Sequence, residues 1–154
     1  FSLTRFANVA HSNGSVLPFW LKLKQEGKPL KLTDPEMNRL IFTQEDAADL
    51  INRTIKFTKE NGGGFVKSYK MKCVNMMNLA KFISDDVEVI GKRPGEKTNE
   101  DLISEREIDR TYIHGDDIHI RMENNKEDNK LSAPYNSKTA PIMTENEMET
   151  LVYG

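Results

Sequence analysis

A strand, a loop and the start of a helix follow one another in residues 5–18, which read Arg-Phe-Ala-Asn-Val-Ala-His-Ser-Asn-Gly-Ser-Val-Leu-Pro. Strand-forming residues give way to small and polar ones at 10–15, as is typical of a loop. A helix is then predicted over 16–26 from the spacing of its leucines and tryptophan. Asn8 therefore ends a strand and Ser15 precedes a helix, and both positions can present hydrogen-bonding groups to a ligand.

The rest of the chain alternates between short strands and amphipathic helices. Strands are predicted over residues 1–9, 30–33, 65–71, 87–90 and 117–121. Helices are predicted from the cap Thr43 to the glycines at 62–64, from the cap Asn75 to Ile83, over 98–109, and after the cap Thr144. The helix after Thr43 has an expected apolar face of Ala47, Leu50, Ile51 and Ile55. Because the strands are short and do not alternate regularly with the helices, the predicted class is α/β, of an α+β-like kind.

The composition is that of a globular protein. Of the 154 residues, 37% are hydrophobic and 30% are charged, and the net charge is −2. Without a basic excess to neutralise phosphates, a nucleic-acid partner is not expected. No apolar run reaches the roughly 18 residues needed to cross a bilayer, so membrane insertion is not expected either. The single cysteine, Cys73, fits a reducing compartment, which predicts a cytoplasmic location.

A polar stretch near the end divides the chain into three predicted parts. Residues 1–123 are predicted to form the main subdomain, 124–132 a polar loop or linker, and 133–154 a C-terminal tail with a short helix. The chain begins at Phe1, without a methionine, directly within a predicted strand. We therefore expect it to be a fragment of a longer protein.

Several familiar catalytic and cofactor motifs are absent from the sequence. The glycines at 62–64 follow a predicted helix and precede a strand, the reverse of a dinucleotide-binding loop. None of the four tyrosines is followed by a lysine four residues later. His114 and His119 stand five residues apart, and in such a setting histidines are more often solvated than metal-bound. No catalytic residue and no metal site are therefore assigned.

Three stretches carry groups suited to a nucleoside diphosphate: residues 5–18, 32–39 and 90–105. The N–H groups that open a helix favour an anion or an acceptor-rich base. An arginine can donate two parallel hydrogen bonds to a diphosphate, and a glutamate just past a tight turn can accept from two ribose hydroxyls. From the residues alone, turn capping and solvated surface charge remain open as alternatives. The candidate binding residues are Asn8, Ser15, Val16, Arg39, Arg93 and Glu96.

In their order and spacing, the three stretches resemble the second half of CapD-like polysaccharide-biosynthesis enzymes, extended short-chain dehydrogenase/reductases that act on UDP-N-acetylglucosamine. The resemblance is carried by Arg-Phe-Ala-Asn-Val at 5–9, Thr-Asp-Pro-Glu-Met-Asn-Arg at 33–39 and Arg-Pro-Gly-Glu-Lys at 93–97. Tyr-Asn-Ser-Lys-Thr at 135–139 also resembles the tail of the UDP-N-acetylglucosamine 4,6-dehydratase/5-epimerase branch. The chain departs from the family pattern at Ala7, Asn13 and Asn38, where the family has glycine, arginine and threonine.

The resemblance implies the substrate-binding subdomain of such an enzyme, with the Rossmann core missing from this chain. It implies a UDP-sugar ligand and a role for each candidate residue. NADP is implied for the full-length protein, and no cofactor for this chain alone. The implied contacts are Asn8 and Arg39 to the diphosphate or sugar, Ser15 and Val16 to uracil, Arg93 to the diphosphate, and Glu96 to ribose.

The function that the resemblance implies is UDP-sugar binding within a 4,6-dehydratase of capsule or O-antigen synthesis. This chain alone is expected to be inactive, because the glycine loop and the Tyr-x-x-x-Lys pair of the family are not in it. A UDP-sugar 4-epimerase and a non-catalytic binding or assembly module stay open as alternatives. The apolar surface that would face the missing half is expected to cause self-association.

Overall fold

The computed structural model describes residues 1–122 and 129–154. In these ranges the strands are β1 (Leu3–Thr4), β2 (Asn8–Val9), β3 (Leu30–Leu32), β4 (Asn38–Phe42), β5 (Phe65–Tyr69), β6 (Cys73–Asn75), β7 (Val87–Val89), β8 (Asp101–Ile103), β9 (Thr111–His114), β10 (Asp117–Arg121) and β11 (Tyr135–Asn136). The α-helices are α1 (Val16–Gln25), α2 (Gln44–Asn61), α3 (Met76–Ile83) and α4 (Glu145–Tyr153), and Glu105–Arg110 is a 3-10 helix.

The strands form small sheets of mixed direction. The largest has the order β1-β5-β10-β9, in which β1 runs parallel to β5 and β10 runs antiparallel to both of its neighbours. In the others, β4 lies between β2 and β6, β3 pairs in parallel with β7, and β8 pairs antiparallel with β11. This mixture of short sheets and helices confirms the predicted α/β class. That a Rossmann core lies outside this chain stays a prediction.

Two hydrophobic clusters hold these elements together. In the first, α1, α3 and α4 pack around β3. Trp20 fixes α1 in this cluster, because its side chain is fully buried and its Nε1 donates to the Lys31 carbonyl at 2.9 Å. In the second cluster, Leu50 of α2 joins Phe42 of β4 and Ile118 of β10. Several residues of the first cluster, among them Leu17, Trp20 and Leu32, also line the cleft described below, so the packing of α1 on β3 shapes the site.

Helices begin at the caps that the sequence predicts. Thr43 Oγ1 accepts from the Asp46 N–H at 3.0 Å, and the Asp46 carboxylate accepts in return from the Thr43 N–H at 3.1 Å. Asn75 Oδ1 accepts from two N–H groups in the first turn of α3. Thr144 and Glu147 form a second reciprocal pair at the start of α4. Each cap stabilises its helix by about 1 kcal/mol, which explains why local sequence located these helices well.

The prediction of a helix over 98–109 is wrong. Residues 101–103 form β8, and only Glu105–Arg110 is helical, as a 3-10 helix. Leu102 and Ile103 are consecutive and both buried. Neighbouring side chains of a strand point to opposite faces, so both are buried in a strand that is covered on each side. The partner strand is β11, far along the chain, and no local pattern could reveal that pairing.

The single strand predicted over residues 1–9 is divided in two. Leu3 of β1 lies beside Val66, whereas Asn8 of β2 lies beside Ile41 in a different sheet. The two short strands thus follow different partners, and the chain changes sheet between them. The prediction that Asn8 ends a strand is wrong: Asn8 begins β2, which ends at Val9, because the chain joins the sheet of β4 only at this residue.

The buried face of α2 differs from the predicted one. Ala47 and Leu50 are buried, but Ile51 and Ile55 are 41% and 48% exposed. Thr54 takes the buried position one turn after Leu50, because its hydroxyl is satisfied by donating to the Leu50 carbonyl at 2.7 Å. The two isoleucines add to the apolar surface of the domain. The expected self-association stays a prediction.

Residues 123–128 lie outside the described part of the chain, so the linker predicted at 124–132 is seen only from Asn129 onward. There the Asn129 carbonyl accepts from the Ile113 N–H at 2.8 Å, beside β9. The tail continues through β11 to α4, which joins the first hydrophobic cluster. Within residues 1–122 and 129–154, no helix combines the length and the apolar character needed to span a bilayer.

Candidate functional site

An open cleft of about 1050 Å³ lies among the start of α1, strands β2 to β4 and the segment that follows β7. Its size is at the upper end of the range found for small-molecule sites. Arg39 and Arg93 line the same cleft although they lie in different motifs. The structure brings all six predicted binding residues to this cleft: Asn8, Ser15, Val16, Arg39, Arg93 and Glu96.

Apolar side chains form much of the remaining wall. Phe6 and Phe19 are 38% and 48% exposed, so their rings are accessible to a flat ligand group. Sequence reasoning gave these wall residues no role, although Phe6 stands two positions before Asn8. The other apolar wall residues include Leu32, Met37, Ile41 and Ile90.

The start of α1 brings hydrogen-bonding groups to the wall of the cleft. Ser15 is the cap residue, yet its hydroxyl caps nothing: Ser15 Oγ is buried with no hydrogen-bond partner among the described residues. Its N–H donates to the Ser12 carbonyl at 2.9 Å. Val16 and Leu17 open the helix, where N–H groups have no acceptor within the helix itself. Pro18 has no N–H, so the donors of this terminus are concentrated in Val16 and Leu17.

Arg93 and Glu96 flank a tight turn that also lines the cleft. Gly95 has a φ of +80°, a conformation that favours glycine and lets the turn close. The Glu96 N–H donates to the Arg93 carbonyl at 3.0 Å, and the Arg93 N–H donates to Glu96 Oε2 at 3.1 Å. Glu96 Oε1 accepts from the Thr33 hydroxyl at 3.3 Å, a contact that sequence reasoning missed. The turn thus fixes the Glu96 carboxylate.

The Arg93 guanidinium provides a positive charge at this turn. Arg93 is exposed and makes no ion pair with any residue of the described ranges. By contrast Lys31, which also lines the cleft, is paired with Glu88. Arg93 is therefore well placed to neutralise an anionic ligand.

Arg39 lines the cleft, but its side-chain donors are mostly bonded to backbone carbonyls. Its Nη2 donates to the Lys97 carbonyl at 2.9 Å, and its Nη1 donates to the Thr98 carbonyl at 3.2 Å and to its neighbour's carbonyl at 2.9 Å. Its Nε lies 3.4 Å from Glu100 Oε1. Most of the donors expected to fork onto a diphosphate are thus already used inside the protein. The direct diphosphate contact stays a prediction.

Asn8 is also engaged. Its Nδ2 donates to the Leu40 carbonyl at 2.9 Å and to Glu100 Oε2 at 3.2 Å. Glu100 therefore links Asn8 to Arg39. With both amide hydrogens used, Asn8 has its Oδ1 to offer a ligand, as an acceptor.

The segment around Arg93 is also tied down by a lysine. Lys92 Nζ lies 2.8 Å from Asp34 Oδ2 and donates to the Thr98 hydroxyl at 2.6 Å. The hydrogen bond from Lys92 lowers the pKa of Asp34 below its usual value, so Asp34 stays ionised. Asp34 lies in the second motif and Lys92 in the third, so this contact joins two of the sequence motifs.

The histidine pair lies away from the cleft. His119 is buried against the rings of Phe57 and Phe65, and the ring of His114 lies 4.7 Å from its own. Burial, and then the charge of Lys67, lowers the pKa of His119 to about 4, which keeps the ring neutral near pH 7. Within the described residues, no three His, Cys, Asp or Glu side chains are grouped to hold a metal.

Curated relatives are similar in sequence to this chain over most of its length. A protein of Methanocaldococcus jannaschii named an uncharacterized membrane protein is 35% identical over 121 residues, covering 70% of this chain and 35% of the relative. The UDP-N-acetylglucosamine 4,6-dehydratase (inverting) of Campylobacter jejuni is 36% identical over 119 residues, covering 73% of this chain and 34% of the enzyme. The UDP-glucose 4-epimerase of Rickettsia rickettsii is 32% identical over 112 residues, covering 69% and 32%.

A solved structure is likewise matched over only part of its own length. The crystal structure of Pen from Bacillus thuringiensis superposes with a TM-score of 0.83 at 26% identity, covering 99% of this chain and 49% of Pen. The chain thus spans about a third of the length of the curated relatives it matches, and half of Pen. The model of the polysaccharide biosynthesis protein family matches residues 1–122. With most of its length matched, the chain belongs to the polysaccharide biosynthesis protein family.

Proposed function

We propose that this chain is the UDP-sugar-binding portion of a nucleotide-sugar 4,6-dehydratase that acts on UDP-N-acetylglucosamine in capsule or O-antigen synthesis. One observation carries the proposal: residues chosen from separate sequence motifs line a single cleft of ligand size. The name of the Campylobacter jejuni relative supports the choice of reaction and sugar. A cytoplasmic location fits the single reduced, buried Cys73.

Two parts of the cleft lining carry groups that suit the parts of UDP. At α1, the Val16 N–H can donate to a uracil carbonyl, and the Ser15 hydroxyl, which has no partner among the described residues, can donate or accept. At the turn that follows β7, the exposed Arg93 guanidinium can donate to the diphosphate. The Glu96 carboxylate, fixed by its turn and by Thr33, can accept from ribose hydroxyls. We assign Asn8 Oδ1 to a hydroxyl of the sugar.

NADP belongs in this proposal only for the full-length enzyme, where it would supply the redox chemistry. The described residues do not fit a dinucleotide: the glycines at 62–64 run from α2 into β5, so no strand precedes them and no helix follows. At Gly63 a Cβ would lie 2.5 Å from the Phe1 carbonyl oxygen, so its small size serves close packing of the chain. The part we assign to this chain is to bind and orient the sugar nucleotide.

A UDP-sugar 4-epimerase is the second candidate. It is favoured by the Rickettsia rickettsii relative, whose sequence matches nearly as much of the chain as the dehydratase does. Both reactions use a UDP-sugar, so the same cleft serves either. Product analysis of the full-length protein with UDP-N-acetylglucosamine separates them: a dehydratase releases a 4-keto-6-deoxy sugar, and an epimerase releases the C4 epimer. A non-catalytic binding module would release neither.

Calorimetric titration of this chain with UDP tests the proposal. We expect saturable binding, and the Arg93→Ala variant should bind UDP about tenfold or more weakly, since a hydrogen bond to a charged group is worth about 1.5–3 kcal/mol. Arg106→Ala is the matched control, because Arg106 is also exposed, makes no ion pair with the described residues and does not line the cleft. Equal affinities of the two variants for UDP would contradict the proposal.

A further inference from the structure

The segment between β7 and β8, residues 90–100, carries both Arg93 and Glu96 into the cleft. We call it the strap. It lies outside the sheets, so its position depends on individual contacts rather than on a ladder of strand pairs. At its beginning, the Ile90 N–H donates to the Leu32 carbonyl at 2.7 Å. At its end, the Glu100 N–H donates to Ser137 Oγ at 3.0 Å.

Residues 97–98 of the strap are held by β4, through the Arg39 side chain and the backbone beside it. The Arg39 side chain is 11% exposed, and its two terminal nitrogens donate to the carbonyls of Lys97 and Thr98. The Asn38 N–H donates to the Thr98 carbonyl at 2.9 Å, so the backbone of β4 reaches the same point. Lysine, a point donor on a flexible stem, could not satisfy these carbonyls and Glu100 together.

We propose that Arg39 is a positioning residue: it fixes the strap so that Arg93 and Glu96 face the ligand, and it does not itself bind the diphosphate. The geometry assigns this role because the Arg39 donors point at strap carbonyls and at Glu100. The inference rests on the proposed function for the identity of the ligand, UDP. Arg39 therefore acts on UDP binding through the strap residues.

A double-mutant cycle on UDP affinity tests this role. Arg39→Lys should weaken UDP binding about tenfold in the wild type but about threefold or less when Arg93→Ala is already present. Residues that act through one another give such non-additive effects, whereas independent contacts add. A tenfold loss in both backgrounds would show that Arg39 contacts UDP on its own and would overturn the proposal. Arg106→Lys is the control for loss of a guanidinium elsewhere.

Hydrogen exchange without ligand tests the anchoring itself. Arg39→Lys should speed amide exchange in the strap by about tenfold while leaving α3 unchanged, because the capped helix does not depend on Arg39. Unchanged exchange in the strap would overturn the proposal whatever UDP does. If the wild type binds no UDP, the proposed function fails, and the exchange result alone then decides whether Arg39 holds the strap.

Discussion

Arginines and acids lie in two regions of this domain, and the protein uses them in opposite ways. Beneath α2, on the face of the large sheet, Asp117 pairs with Arg53 and with Lys67, whose Nζ lies 2.8 Å away. The Lys67 side chain is only 4% exposed. At the cleft, Arg93 is exposed and has no ion pair with the described residues. We refer to the first region as the charged sheet face.

The difference separates charges that serve the fold from charges available to a ligand. On the charged sheet face, each charge lies beside a charge of opposite sign. A buried charge without such a partner costs several kcal/mol. In the cleft, the turn holds the backbone of Arg93 and leaves the guanidinium to solvent. Substitutions in the first region should therefore change stability, and those in the second should change binding.

The largest effect is expected from Asp117→Ala. This change leaves the buried Lys67 without its carboxylate, and the free energy of unfolding should fall by about 3 kcal/mol. Urea unfolding followed by circular dichroism measures it. UDP affinity of the folded fraction should remain unchanged, because Asp117 does not line the cleft.

Asp49→Ala is the matched control for that variant. It removes the other acid beside Arg53. Because the Asp49 side chain is 64% exposed, the free energy of unfolding should fall by less than about 0.5 kcal/mol. Similar losses of stability for the two variants would mean that the charged sheet face is not a closed network, and the contrast between the two regions would collapse.

A smaller effect is expected from pH, through His119. Burial lowers the pKa of His119 to about 4 from an unfolded value near 6.5. The folded state therefore binds this proton less readily, so the contribution to stability is complete above about pH 6.5 and is lost as pH falls toward 4. As the pH falls from about 7 to about 4.5, titration of His119 should lower the free energy of unfolding by about 2 kcal/mol.

His119→Phe isolates that effect from other titrating groups. The ring fits between the same aromatic neighbours, Phe57 and Phe65, and carries no proton. Urea unfolding at the two pH values should show a smaller loss of stability in the variant than in the wild type. The neighbouring charges of Lys67 and Asp117 stay in place, so equal losses in both proteins would contradict the assignment.

Local signals in the sequence predicted the helices well and the long-range pairing poorly. The caps Thr43, Asn75 and Thr144 act within one turn, so their effect can be read from a few residues. Strand β8 depends on β11, whose position no local pattern encodes. Because that pairing is not visible in the local sequence, residues 98–109 were predicted as a single helix.

The site shows the same division. Motif order identified the residues that line the cleft, because the turn at Arg93 and the start of α1 are local features. The contacts of Arg39 with Lys97 and Thr98 were not predictable, since they join residues that are distant in sequence and involve backbone carbonyls. Thr33 was missed for the same reason: its partner Glu96 lies in another motif.

A map of backbone amide shifts in the isotope-labelled chain during titration with UDP shows directly whether the ligand occupies the cleft. We expect saturable shifts at the start of α1 and in the strap, including Val16, Arg93 and Glu96, and none at Lys67 or His119. Shifts centred on the charged sheet face, or no shifts in the cleft at saturating UDP, would contradict the assignment of this cleft to a UDP-sugar.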